Sequence, residues 1–268
     1  MTMLEELPAE DILFPFIFSR LAPSELFNIR GCNSVLHSLV STYFSVSRRL
    51  DLAYNKRLTK EAFQILTASH HHQLRELKLS GLKFLTDELV RPVLQRNTHL
   101  VTVDLSDCHH LTAGILQTLS VSSYQLERLI LRDCHWVTRE ALDYHSYQQG
   151  LAHNTKEVLT QLARHCHRVD PTTRPLPSRP RPRANLREVE LTGCWELNDQ
   201  VLVNFLANFP ELRVVRLGKI YSVTDIFMSG LAKHCRNLQT LDITGCWRVS
   251  DQGWSSRLRS SCNSSVQE

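Results

Sequence analysis

Glycine is scarce in this 268-residue chain: nine residues, none of them grouped into the loop that cradles a phosphate. Long apolar runs are missing as well. No stretch approaches the roughly 18 to 20 uncharged apolar residues that a membrane-spanning helix needs, so no membrane partner is expected. The opening MTMLEELPAED is acidic where a secretory leader is basic, and no small-residue cleavage site follows. The expectation is an intracellular protein, cytoplasmic and with the nucleus open to it. An excess of one charge is also lacking. A net charge of +4 is too small to argue for nucleic acid, which would favour a basic stripe. Cysteine is present eight times, but no C-x-x-C pair occurs, so neither a disulfide framework nor a zinc site is indicated. In a reducing compartment these cysteines read as small buried hydrophobes.

What is present is a repeat. The pattern L-x-x-L-x-L-x-x-C-x-x-L-T recurs, and its first leucines fall at Leu74, Leu100, Leu126, Leu186, Leu212 and Leu238. The steps are 26, 26, 60, 26 and 26 residues, within the leucine-rich-repeat range of about 20 to 29. A worn first copy appears at Leu50, Leu52, Asn55 and Leu58. In L-x-L a period of two sends Leu77 and Leu79 inward and leaves Lys78 outside. The cysteine position bends the chain away from the strand, where buried amides call for small or hydrogen-bonding groups. The second half of a unit has helical spacing, as in Val201, Leu202, Phe205, Leu206 and Phe209. No unit can bury both faces alone, so units must stack. The expected fold is an α/β solenoid, a leucine-rich-repeat horseshoe of about seven units over residues 47–263, with a tail at 264–268.

Residues 4–46 do not follow the repeat. Pro8 after Leu7 suits a helix start, with Glu10 and Asp11 complementing the macrodipole. Pro23 opens a second helix and Val35, Leu36, Leu39 and Val40 mark a third. From Ile12 to Leu21 the side chains are nearly all apolar and would surround a helix. About 40 residues are too few to bury them, so either the repeats or another protein must cover the excess. Leu7-Pro8, Ile12, Ile17, Leu21, Pro23 with Leu26, Leu36 and Leu39 together resemble the F-box. The units after it resemble the cysteine-containing repeats of the F-box and leucine-rich-repeat protein family. The resemblance covers about 250 residues. It departs at Leu36, where many F-boxes carry an aromatic residue nearby, and at Pro15, which interrupts a commonly continuous helix.

That resemblance implies a small three-helix F-box ahead of the solenoid, docking on the S-phase kinase-associated adaptor and the cullin of an SCF ubiquitin ligase. Its adaptor-binding residues would be Leu7, Pro8, Ile12, Phe16, Ile17, Leu21 and Leu26. The repeats would hold a protein substrate for ubiquitination and degradation, with no cofactor, no metal and no catalytic residue in the chain. The alternative is a leucine-rich-repeat scaffold outside any ligase. Candidate substrate contacts are the outward strand residues Lys78, Asp104, Arg128, Arg132, Glu190, Arg216 and Asp242, with Trp195 and Trp247 past the turn. Trp136 also lies past a turn. Tryptophan and arginine are enriched in binding hot spots, but packing along the solenoid edge explains these tryptophans equally.

Four further features carry less. The long step holds an insertion within 140–185, with helical spacing over 156–166. Its stretch DPTTRPLPSRPRPRAN, with five prolines and four arginines, reads as an exposed basic loop, either solvated or docking an acidic partner. Asp107-Cys108-His109 and Asp133-Cys134-His135 suggest a thiol enzyme, but both cysteines occupy the buried turn position. His70–His72 and His165-Cys166-His167 supply metal-ligand types without the spacing of a tetrahedral site. From Trp254 the apolar helix pattern fades, as a truncated or alternative end would.

Overall fold

In the computed structural model the described residues are 7–21, 23–69, 74–123, 125–137, 186–195, 197–207 and 209–253. The insertion, both histidine clusters and the stretch from Trp254 lie outside them. Seven parallel three-residue strands form one sheet in sequence order: β1 Arg49–Asp51, β2 Glu76–Lys78, β3 Thr102–Asp104, β4 Arg128–Ile130, β5 Glu188–Glu190, β6 Val214–Arg216 and β7 Thr240–Asp242. Each central residue is buried, and it pairs with the central residue of the next unit: Leu77 with Val103, Leu129 with Val189. The 60-residue step therefore leaves the ladder unbroken. Among the described residues, helices cover the other side of five units: α3 Lys60–Ser69, α4 Asp87–Arg96, α5 Gly114–Ser122, α6 Asp199–Leu206 and α7 Asp225–His234. Of the apolar stripe on α6, Leu202, Phe205 and Leu206 are buried, with Phe209 just beyond.

Three sets of contacts link unit to unit. Where each strand ends, one residue adopts a positive φ: Tyr54, Gly81, Asp107, Asp133, Gly193, Lys219 and Gly245, between 51° and 78°. This turn lets its N–H reach a carbonyl of the next unit, as from Asp107 to Arg132 at 2.8 Å and from Lys219 to Thr244 at 2.7 Å. The following cysteine donates its thiol the other way. Cys108, Cys134, Cys194 and Cys246 reach the carbonyls of Leu79, Leu105, Leu131 and Leu217 at 3.1 to 3.3 Å. The residue is thus a small donor as well as a small hydrophobe, and Leu82 and Ile220 simply fill the slot in their units.

The third set joins helix starts. The carboxylate of Asp87 accepts from the N–H and hydroxyl of Thr112 at 2.8 and 2.5 Å. Asp225 accepts likewise from Ser250 at 2.8 and 2.6 Å, and Asp199 from Thr224, with 2.9 Å to its N–H. Each aspartate sits in the first turn of its helix, where the macrodipole favours an anion. It also supplies an acceptor for the orphan donors of the next helix's start.

Ahead of β1 lie α1 Pro23–Arg30 and α2 Ser34–Val46, and before them a wide π-helical segment, Ala9–Ile17, ending in a 3-10 turn. Pro15 does not break this segment. A widened helix accommodates the ring that would clash in an α-helix, and Leu13 N–H bonds back to Pro8 at 3.1 Å. Phe14, Phe18 and Tyr43 meet with ring centroids 5.5 to 5.8 Å apart and tie the segment to α2. One apolar cluster then runs from Leu13 to Cys246. Among the described residues no helix is long and apolar enough to cross a membrane.

Candidate protein-binding face

The outward strand residues form a charged floor. Glu76 lies 2.6 Å from Arg49 and 2.9 Å from Lys78, which also reaches Asp51 at 3.5 Å. A second network joins Arg128 to Glu188 at 2.6 Å and Arg132 to Glu190 at 3.4 Å, with Arg216 bridging both glutamates. Partial burial works to raise the Glu76 carboxyl, but the Lys78 hydrogen bond and charge, with Arg49, hold it below its ordinary range. Lys78 is raised in turn, chiefly by its hydrogen bond to Glu76. At Glu190 burial wins. Its carboxyl is pushed up by that burial despite Arg132 and Arg216, and like charge on Asp104 and Glu188 adds to the rise.

Asp104 does a different job from the one the sequence suggested. Asp104 is buried, and its Oδ1 accepts from the Ser106 N–H at 3.0 Å and hydroxyl at 2.6 Å. Asp242 holds Thr244 in the same way, at 2.9 and 2.6 Å. Both close the turn at the end of their strands. Lys78, Arg128, Arg132, Glu190 and Arg216 do face outward, but each is already paired within the floor.

The aromatic residues occupy an edge beside the strand ends. The position after the cysteine carries His109, His135, Trp195, Tyr221 and Trp247 in successive units. His109 and His135 stack with planes 7° apart and centroids 5.5 Å apart. The Trp195 indole N–H donates to His135 Nδ1 at 3.2 Å. Trp195, Tyr221 and Trp247 are 50, 54 and 83 % exposed. Trp136, one residue later in its unit, is buried instead, so a single step in register separates core from edge. Tyr221 escaped the sequence reading, which weighed His109 and His135 only as partners of a thiol, although aligning the units at the cysteine places all three in the tryptophan column.

A second outward surface lies on the N-terminal segment. Leu13, Phe14 and Phe18 enter the core, Ile17 and Leu21 are half-buried, and Leu7, Pro8, Ile12 and Phe16 are exposed, Phe16 by 61 %. Leu26 is a core residue at 2 % exposure. It holds α1 in place and has no surface to offer a partner.

The thiols of the cysteine column are buried. Burial pushes Cys108 and Cys194 up to about 12 and raises Cys134 and Cys246, while only a thiolate attacks. His109 lies 2.9 Å from Asp107 and stacks on His135. Among the described residues no three His, Cys, Asp or Glu side chains converge on a metal position.

The parallel ladder with helices behind it defines a class of architecture: the chain has the leucine-rich-repeat fold. The Leucine Rich repeat family model matches residues 96–120 and 234–256. Among curated proteins the chain is similar to F-box/LRR-repeat protein 15 of Rattus norvegicus and of Mus musculus, 30% identical over 118 residues. The match covers 44% of this chain and 39% of either relative. Solved structures with some likeness include the Rad7 and Elc1 complex of yeast (14% identity, 82% of this chain and 69% of that one, TM-score 0.34). The leucine-rich repeat-containing protein LegL7 of Legionella pneumophila is another (16% identity, 77% and 60%, TM-score 0.44).

Proposed function

We propose that this chain is the substrate-recognition subunit of an SCF-type cullin–RING ubiquitin ligase, acting in the cytoplasm or nucleus. The observation that carries the reading is the divided N-terminal segment. Leu13, Phe14 and Phe18 anchor it to the rest of the chain, while Leu7, Ile12 and Phe16 leave apolar surface exposed beyond what a polar-faced cap needs. The similarity to F-box/LRR-repeat protein 15 supports the same reading. In it, Leu7, Pro8, Ile12 and Phe16 meet the ligase's adaptor, with Ile17 and Leu21 at the margin, and the repeats hold the target.

The mechanism is proximity. Holding a target beside a ubiquitin-charged conjugating enzyme raises the effective concentration of its lysines, and the chain contributes no reacting group. The test compares proteins that co-purify with the tagged chain and with its Phe16→Asp variant, whose site is exposed enough to leave folding intact. Adaptor and cullin are expected with the first and lost with the second, while proteins held by the repeats stay with both. If the wild-type chain brings down no cullin, the ligase reading fails and a scaffold outside any ligase takes its place.

A further inference from the structure

We propose that the edge formed by Trp195, Tyr221 and Trp247, together with Lys219 and Arg248, is a docking strip for an extended acidic segment of a partner protein. The inference rests on reading the repeats as a protein-binding array, and does not depend on the adaptor contact.

Charge is the first argument. The cations of the floor are spoken for: Arg49, Lys78, Arg128, Arg132 and Arg216 each pair with a carboxylate. Lys219 and Arg248 are exposed, and among the described residues no carboxylate lies within ion-pair distance of either. Among the described residues Asp107 lies against His109 at the far end of the edge, and Asp133 stands at the Gly193 turn that precedes Trp195. Uncompensated positive charge thus coincides with Tyr221 and Trp247. Carboxylates of a ligand would find partners there without breaking an existing pair.

Geometry is the second. Neighbouring strands stand about 4.8 Å apart, so Trp195 and Trp247, two units apart, are separated by roughly 9 to 10 Å along the sheet. An extended or polyproline-like chain rising about 3.1 to 3.4 Å per residue brings positions i and i+3 to that spacing. Side chains three apart would pack on the two indoles, with Tyr221 between them. The His135 bond already orients the Trp195 indole, which lowers the ordering cost of binding. Single-stranded nucleic acid also uses aromatic rings with cations. Here two cations fall short of a track for a phosphate backbone.

The experiment selects a random display library of peptides about twelve residues long on the full chain. Dye-labelled enriched peptides are then titrated by anisotropy, with oligo(dT) as competitor. Enrichment of Asp and Glu is expected, and a Trp195→Ala, Tyr221→Ala, Trp247→Ala variant is expected to bind tenfold or more weakly, a loss of about 1.4 kcal/mol or more. Arg248→Gln should weaken binding severalfold. Lys219→Gly should weaken it while raising resistance to urea, a combination no folding defect produces. Phe16→Asp should leave peptide affinity unchanged, so failure of the ligase reading would not be mistaken for failure of this one. The proposal is overturned by no enrichment, by enrichment of Lys and Arg, by full binding to the triple variant, or by displacement with oligo(dT) at equal affinity.

Discussion

Successive units place Lys219 and Gly245 at the same turn position, with φ of 62° and 78°. They allow a paired test of what the left-handed turn costs. A Cβ added at Gly245 would meet nothing nearer than 3.6 Å, so Gly245→Ala isolates backbone strain. The left-handed region costs an L-residue roughly 1 to 2 kcal/mol, and the stiffer unfolded chain returns about 0.4 to 1 kcal/mol. Mid-range values leave a net loss of about 0.8 kcal/mol. Lys219→Gly reverses both contributions and should gain a similar amount. With a urea m-value of about 2 kcal/mol/M, midpoints should move by about 0.25 to 0.5 M in opposite directions. Gly193→Ala should lose more than Gly245→Ala, because its Cβ would stand 2.1 Å from Asp133 Oδ1. A neutral Gly245→Ala, or a Lys219→Gly that lowers the midpoint, would refute the claim that backbone strain sets the residue at this turn.

Asp199→Ala removes both acceptors of the Thr224 N–H and hydroxyl and should cost about 1 to 2 kcal/mol in urea unfolding. Under native conditions at pH 8 to 9 a thiol reagent should modify exposed Cys32 quickly and leave Cys108, Cys134, Cys194, Cys235 and Cys246 untouched until the chain unfolds, a difference that mass spectrometry of labelled peptides reads site by site. Because the folded Glu76 carboxyl lies below its ordinary value, its contribution to stability is present above about pH 4.3 and lost as pH falls through the folded value. Lys78 is raised, so its share is present below about pH 10.4 and lost as pH rises through the folded value. Urea midpoints measured against pH should be flatter on the acid side in Glu76→Gln and on the alkaline side in Lys78→Gln.

The 26-residue period determined the architecture by itself. Leucines two apart must face one side of a strand, no unit can bury its strand and helix faces alone, and equal steps force equal stacking. The inward set Leu77, Leu79, Val103, Leu105, Leu129 and Leu131 was legible for that reason, as was the burial of the repeat cysteines Cys108, Cys134, Cys194 and Cys246, while Cys32 outside the repeats is exposed. Sequence also identified the surplus of apolar side chains between Ile12 and Leu21. Which of them remained outside was decided only by packing: the segment widened around Pro15, Phe14 and Phe18 closed on Tyr43, and Phe16 was left exposed. On the face of the array, alternation singled out Asp104 and Arg132 alike as outward. Tertiary contacts then committed Asp104 to Ser106 and the outward arginines to Glu188 and Glu190. Pairing across units depends on side chains that are 26 or more residues apart, and strand alternation holds no record of it. The cysteine column placed Trp195 and Trp247 in line with Tyr221, but only the folded chain could decide that this column lies open while Trp136, one residue off it, is sealed inside.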